Sequence, residues 1–99
     1  GGSLITKPFT FSASAGQEPV TLQLNASTSA AGGIRGEILS ADDGRPLPGF
    51  AADDCEILFG DSIDLPMRWR GGDLRPWSSQ PIKLRLELQD ADVFAYRFA

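Results

Sequence analysis

From Ile82 to Leu88 every second residue is apolar: Ile82, Leu84, Leu86 and Leu88 alternate with Lys83, Arg85, Glu87 and Gln89. In an extended chain successive side chains point to opposite faces, so this run predicts a strand with one buried and one wet face. The period of two recurs along the chain. Phe94, Tyr96 and Phe98 oppose Val93, Ala95 and Arg97; Ile5, Lys7, Phe9 and Phe11 oppose Leu4, Thr6, Pro8 and Thr10. Val20, Leu22 and Leu24 form another set, as do Ile34, Gly36 and Ile38 against Arg35, Glu37 and Leu39. A further run sets Ile63, Leu65, Met67 and Trp69 against Asp64, Pro66, Arg68 and Arg70. Pro8 has no N–H to give a neighbouring strand, which predicts an edge position for its segment. No segment keeps a helical period; Asp73-Leu74-Arg75-Pro76-Trp77 has room for one helical turn at most.

Turn chemistry separates these runs. Ala15-Gly16-Gln17-Glu18-Pro19, Ala31-Gly32-Gly33 and Arg70-Gly71-Gly72-Asp73 read as turns. Asp42-Asp43-Gly44-Arg45-Pro46 is the sharpest, because Asp-Gly favours the left-handed backbone of tight turns. Gln89-Asp90-Ala91-Asp92 predicts a hairpin between the last two runs. The stretch 46–59 reads as a loop with one short strand around Glu56 to Phe59. About seven short strands at this spacing predict an all-β fold, an antiparallel β-sandwich of jelly-roll kind. Residues 1–3 read as a linker and residues 4–99 as one domain, the size that 99 residues allow. The predicted core is Phe9, Phe11, Leu22, Leu24, Ile34, Ile38, Ile63, Leu65, Trp69, Leu84, Leu86, Leu88, Phe94, Tyr96 and Phe98.

Charge and residue usage narrow the chemistry. A net charge of −4 with no basic run argues against nucleic-acid binding. No apolar stretch approaches the roughly 20 residues of a membrane-spanning helix, and no export signal is visible. The chain has no histidine, which removes the commonest general base. The one cysteine, Cys55, has neither a histidine to activate it nor a second cysteine to pair with, so it reads as a small buried hydrophobe. The glycines of Ala31-Gly32-Gly33-Ile34-Arg35-Gly36 lead into a strand, not the helix a phosphate loop needs.

Two groups of residues are candidates for a site. Asp42, Asp43, Asp53, Asp54, Glu56, Asp61 and Asp64 crowd one stretch. Carboxylates in turns cap backbone N–H groups; the alternatives are calcium held by Asp side chains and loop carbonyls, and acid/base work by a carboxylate pair. The other group is a charged strand surface, with Arg35, Glu37, Arg68, Arg70, Lys83, Arg85 and Glu87 facing away from the core. Such a surface is either a solvated face with weak cross-strand pairs or a shallow ligand platform. A sugar-binding platform also needs a ring to pack on the C–H face of a sugar. Trp69 keeps register with the core; Trp77 follows Pro76 in a loop and is the candidate exposed ring, or else a plug over one end of the fold.

Several strings together carry a family likeness. Thr28-Ser29-Ala30-Ala31-Gly32, Ile34-Arg35-Gly36-Glu37-Ile38 and Asp43-Gly44-Arg45-Pro46-Leu47-Pro48-Gly49-Phe50 are three of them. Asp54-Cys55, Gly60-Asp61-Ser62, Arg68-Trp69-Arg70-Gly71-Gly72-Asp73-Leu74 and the closing run from Leu84 to Phe98 complete the pattern. With these the chain resembles the C-terminal β-sandwich module of large secreted bacterial proteins similar to glycoside hydrolases of the five-bladed propeller kind. The resemblance implies a secreted, non-catalytic accessory module with no cofactor, next to a catalytic domain in a parent chain. Two functions follow as expectations. The module binds a polysaccharide or oligosaccharide, with Trp77 as the ring and Arg35, Glu37, Arg68, Arg70, Arg85 and Glu87 as polar groups. Alternatively, it packs on and stabilises its catalytic neighbour without touching sugar, and then exposes an apolar patch where that neighbour belongs.

Overall fold

The computed structural model describes residues 2–12 and 20–98, except for the side chain of Ile63. The predicted turn at Ala15-Gly16-Gln17-Glu18-Pro19 lies outside the described residues. The chain is all-β and antiparallel. Strands β1 (Gly2–Ile5), β2 (Leu22–Ser40), β3 (Asp61–Met67) and β4 (Ile82–Phe98) form one sheet in the order β1-β4-β2-β3. Two short 3-10 turns, Ala52–Asp54 and Arg75–Trp77, lie between strands. Gly2 and Ser3 pair with Leu88 and Glu87, so the opening Gly-Gly-Ser is part of the sheet from Gly2 onward and not a linker.

The expected set of about seven short strands is replaced by two long ones that carry the sheet. β2 runs for 19 residues and β4 for 17. Neither the predicted turn at Ala31-Gly32-Gly33 nor the predicted hairpin at Gln89-Asp90-Ala91-Asp92 reverses the chain. Gln89 pairs with Gly33 and Ala91 pairs with Thr28, both on β2, so β4 passes straight through. Between those pairs, residues 29–32 of β2 stand opposite Asp90 alone, and Asp90 adopts φ 45°. This is a bulge, in which surplus residues on one strand bend the ladder while pairing resumes beyond. An ideal Cβ on Gly32 would collide with the carbonyl oxygens of Gln89 and Asp90, so glycine is what lets the strands touch there. The composition that reads as a turn is thus the composition a close backbone approach requires.

The bulge divides the sheet into two halves over one core. In one half, residues 22–28 of β2 lie between β3 and the far end of β4. In the other, residues 33–40 pair with the near end of β4, which β1 flanks in turn. The free edge of that half of β2 is covered by the returning chain: Ile38 N–H donates to the Phe50 carbonyl at 3.0 Å, and Ile34 and Leu58 exchange backbone bonds at 2.9 and 2.8 Å. Leu22, Leu24, Ile34, Ile38, Ile82, Leu84 and Leu86 meet Val20, Phe50, Met67, Trp69 and Leu74 in a single buried cluster. Trp69 is buried as expected, and its indole N–H donates to the Gly36 carbonyl at 2.8 Å, which satisfies the one polar atom the ring brings inside.

The alternation holds through the first part of β4 and fails after it. Phe94 and Tyr96, placed in the predicted core, are 67% and 40% exposed. Asn25 pairs with Ala95 but Ala26 pairs with Val93, so Phe94 is an extra residue on β4 and leaves the inward row. Val93, expected on the outer face, packs against the core instead. Tyr96 and Phe98 keep a common side, where Phe9 lies 5.7 Å from both ring centroids and Phe11 stacks on Phe98 at 4.5 Å. Phe9, Phe11, Leu65, Leu88 and Phe98 are partly buried against the core. As Pro8 predicts, its segment is at an edge: Phe9 is joined to Ile82 through a single bridge.

Candidate functional site

Strand register brings four of the predicted charged residues together. On the outer face of β2 and β4, Arg35 stands opposite Glu87 and Glu37 opposite Arg85. Arg85 Nη1 reaches Glu87 Oε1 at 2.8 Å and Glu37 Oε1 at 3.3 Å, so one guanidinium holds both carboxylates. The hydrogen bond to Glu87, opposed by partial desolvation and helped by the charges of Glu87 and Glu37, pushes Arg85 above its ordinary value. Glu37 also accepts from the Ala52 N–H at 3.3 Å, which ties the ladder to the covering loop. Arg35 is different. Among the described residues it has no ion pair, and its Nε is buried without a hydrogen-bond acceptor.

Beside Arg35 and Glu87 lies a groove of about 560 Å³, lined also by Gly33, Ile57, Phe59 and Gln89. Its apolar wall comes from the covering chain. Leu58 pairs with Ile34 and turns into the core, so its neighbours Ile57 and Phe59 turn outward and stand 51% and 60% exposed. The wall is anchored at its far end, where the Thr28 N–H donates to the Gly60 carbonyl at 2.9 Å and the Gly60 N–H donates to Thr28 Oγ1 at 3.0 Å. The groove therefore offers an exposed phenyl ring, a branched aliphatic, a guanidinium, a carboxylate and an amide.

The other predicted site residues are elsewhere. Arg68 and Arg70 flank Trp69 beyond the end of β3. They line a second depression of about 370 Å³ with Asp53, Asp54, Cys55 and Glu56, and Arg70 Nε lies 3.7 Å from Asp54. Cys55 is buried there; desolvation pushes its thiol up, against the lowering effects of the Gly36 backbone and the Arg35 charge. A buried thiol with a raised pKa is a poor nucleophile. Trp77 sits in the Arg75–Trp77 turn, where its ring meets Phe50 edge-on at 5.1 Å and 78°. It packs against the core and does not line the groove. Trp77 therefore lies apart from Arg35 and Glu87, and its contacts fit the expected plug. Trp77→Ala should lower stability by about 2–4 kcal/mol, somewhat below the cost of removing a fully buried ring, and leave any binding in the groove unchanged. A denaturant melt beside a binding titration checks both parts.

Two carboxylates of the acidic stretch cap turns. Asp43 accepts from the Arg45 N–H at 2.9 Å, and Asp54 accepts from the Ala51 N–H at 3.3 Å. Among the described residues no group of three or more His, Cys, Asp or Glu is placed to hold a metal ion. No helix of the described residues is long and apolar enough to cross a membrane.

Sequence reasoning missed Ile57, Phe59 and Gln89. Alternation cannot assign a phase to Ile57-Leu58-Phe59, because all three are bulky and apolar. The signal was present in another form: three such residues on one short strand cannot all point inward, so at least one must be exposed. No protein-family model, curated protein or solved structure matches the chain.

Proposed function

We propose that the chain is a non-catalytic carbohydrate-binding accessory module of a secreted polysaccharide-active protein, with its sugar site in the groove beside Phe59. The observation that carries this reading is the groove itself, in which an exposed phenyl ring adjoins fixed polar groups. A pyranose presents C–H faces that pack on a ring, while its hydroxyls need donors and acceptors held in place. Phe59 and Ile57 supply the first; Glu87, Gln89 and Arg35 supply the second. The sequence resemblance to modules of glycoside-hydrolase-like proteins supports the same reading. By holding a polymer, such a module raises the effective concentration of substrate at the catalytic neighbour.

The test is a glycan array or affinity-gel screen of the folded chain, followed by Phe59→Ala. The substitution should weaken binding by about tenfold or more, equivalent to ~1.4 kcal/mol, and shift the melting temperature by no more than a few degrees, because the ring is largely exposed. Unchanged affinity in a folded variant removes Phe59 from the site.

A second reading, a module that packs on its catalytic neighbour, is favoured by a separate observation. Leu4 and Ile5 on β1, and Phe94 and Tyr96 at the far end of β4, are also exposed. Large apolar side chains left exposed on a small domain are what a packing partner would cover. If no glycan is retained in the screen, the packing role is the reading that stands.

A further inference from the structure

We infer that the groove selects sugars carrying an anionic group, a carboxylate or a sulfate ester, and that Arg35 is the residue that reads it. The inference rests on the carbohydrate reading and deepens it. It starts from an asymmetry in the charge ladder. Two arginines and two glutamates face one another across β2 and β4, yet Arg85 takes both carboxylates. Glu87, which stands opposite Arg35, is turned to Arg85 at 2.8 Å. Arg35 is left with no ion pair among the described residues, and its Nε is buried with no acceptor.

A guanidinium cannot shed its proton in a protein, so its five N–H donors must find acceptors or go unmet. Arg35 lines the groove, and the side chains that share it are the apolar Ile57, Phe59 and Leu88, the neutral amide of Gln89 and the Arg85-bound Glu87. Water or neutral hydroxyls would satisfy it weakly. A planar carboxylate matches the guanidinium fork with two parallel bonds, and hydrogen bonds between charged partners are about twice as strong as neutral ones. Phe59 beside it would carry the ring of the same sugar. The net charge of −4 opposes the approach of a long polyanion. Selection therefore rests on the local contact and is read most cleanly with short oligosaccharides.

The experiment is calorimetric titration of the chain with tri-galacturonate and with its fully methyl-esterified form, which has the same backbone without the charge. A sulfated carrageenan oligosaccharide and its desulfated counterpart form the second pair and separate the two sources of anion. Within at least one pair the anionic member should bind about tenfold more tightly. Arg35→Gln should remove that preference without shifting the melting temperature by more than a few degrees. Arg35→Lys should retain part of it, since it keeps the charge and loses the fork. Phe59→Ala should weaken both members of the pair together. Equal binding within both pairs, or a preference that survives Arg35→Gln, overturns the inference and leaves the carbohydrate reading intact. Failure to bind any member while the wider screen retains a neutral glycan does the same. Failure to bind any glycan at all overturns both.

Discussion

Gly32→Ala is expected to destabilise the fold by about 3 kcal/mol or more, at or beyond the upper end of overpacking penalties, because an added Cβ there makes the closest approach to neighbouring atoms of any described glycine. The added Cβ would meet the carbonyl oxygens of Gln89 and Asp90 and, at 3.0 Å, the Asp90 carbonyl carbon. These are backbone atoms of the paired strand, so no side chain can swing aside. The chain can accept the methyl only by parting β2 from β4 at the point where the two halves of the sheet join. Gly44 is the control. It lies in a turn at φ 71°, with nothing within 4 Å of an added Cβ. Gly44→Ala should therefore cost only the left-handed strain of about 1–2 kcal/mol. Urea unfolding of both variants gives the comparison. Near-equal losses would mean that the strands are not in contact at the bulge.

Leu86→Ala should cost about 2–5 kcal/mol, the range for truncating a buried leucine. Leu86 is fully buried on the inner row of β4, between Leu4 on β1 and Gly36 on β2. A leucine methyl occupies the space that the missing side chain of Gly36 leaves open. Truncation would leave two adjacent small residues and a cavity that the flat face of the sheet cannot collapse to fill. Small domains are stable by only about 5–15 kcal/mol, so this loss takes much of the margin. Lys83→Ala, on the opposite face of the same strand, should change stability by no more than about 0.5 kcal/mol. If the two variants lose stability equally, the strand register is displaced by one residue, because a slip of one exchanges the faces.

The resemblance of the two glycine-containing breaks in sequence hides opposite structural roles. Asp42-Asp43-Gly44 reverses the chain, with the Gly44 N–H donating to the Ser40 carbonyl at 2.9 Å. Ala31-Gly32-Gly33 does not reverse it. A glycine supplies either a positive φ or room for a neighbouring backbone, and local composition does not say which. The choice at Gly32 depends on a strand more than fifty residues away in sequence.

The site divides in the same way. Arg35, Glu37, Arg85 and Glu87 were legible as outward-facing residues because they alternate with Ile34, Gly36, Ile38, Leu84, Leu86 and Leu88, and a strand with one apolar face has only one way to lie on a core. Their pairing was not legible, since register between β2 and β4 is set by the bulge at residues 29–32 and by a second bulge at Phe94. Phe94 shows the cost of one inserted residue: alternation assigned it to the core, and the bulge turned it to solvent. Trp77 reads as either ring or plug from its loop position, and the packing of Phe50 against it comes only from the tertiary structure. The sequence by itself determined what depends on neighbours along the chain: the all-β antiparallel class, the inner rows of the first parts of β2 and β4, the buried Trp69 and Cys55, and the turn-capping carboxylates. The tertiary structure alone decided what depends on strands meeting across it. That includes the number of strands, the bulges that set their register, and the groove in which Phe59 comes to lie beside Arg35, because each is fixed by a backbone contact between segments that the sequence holds far apart.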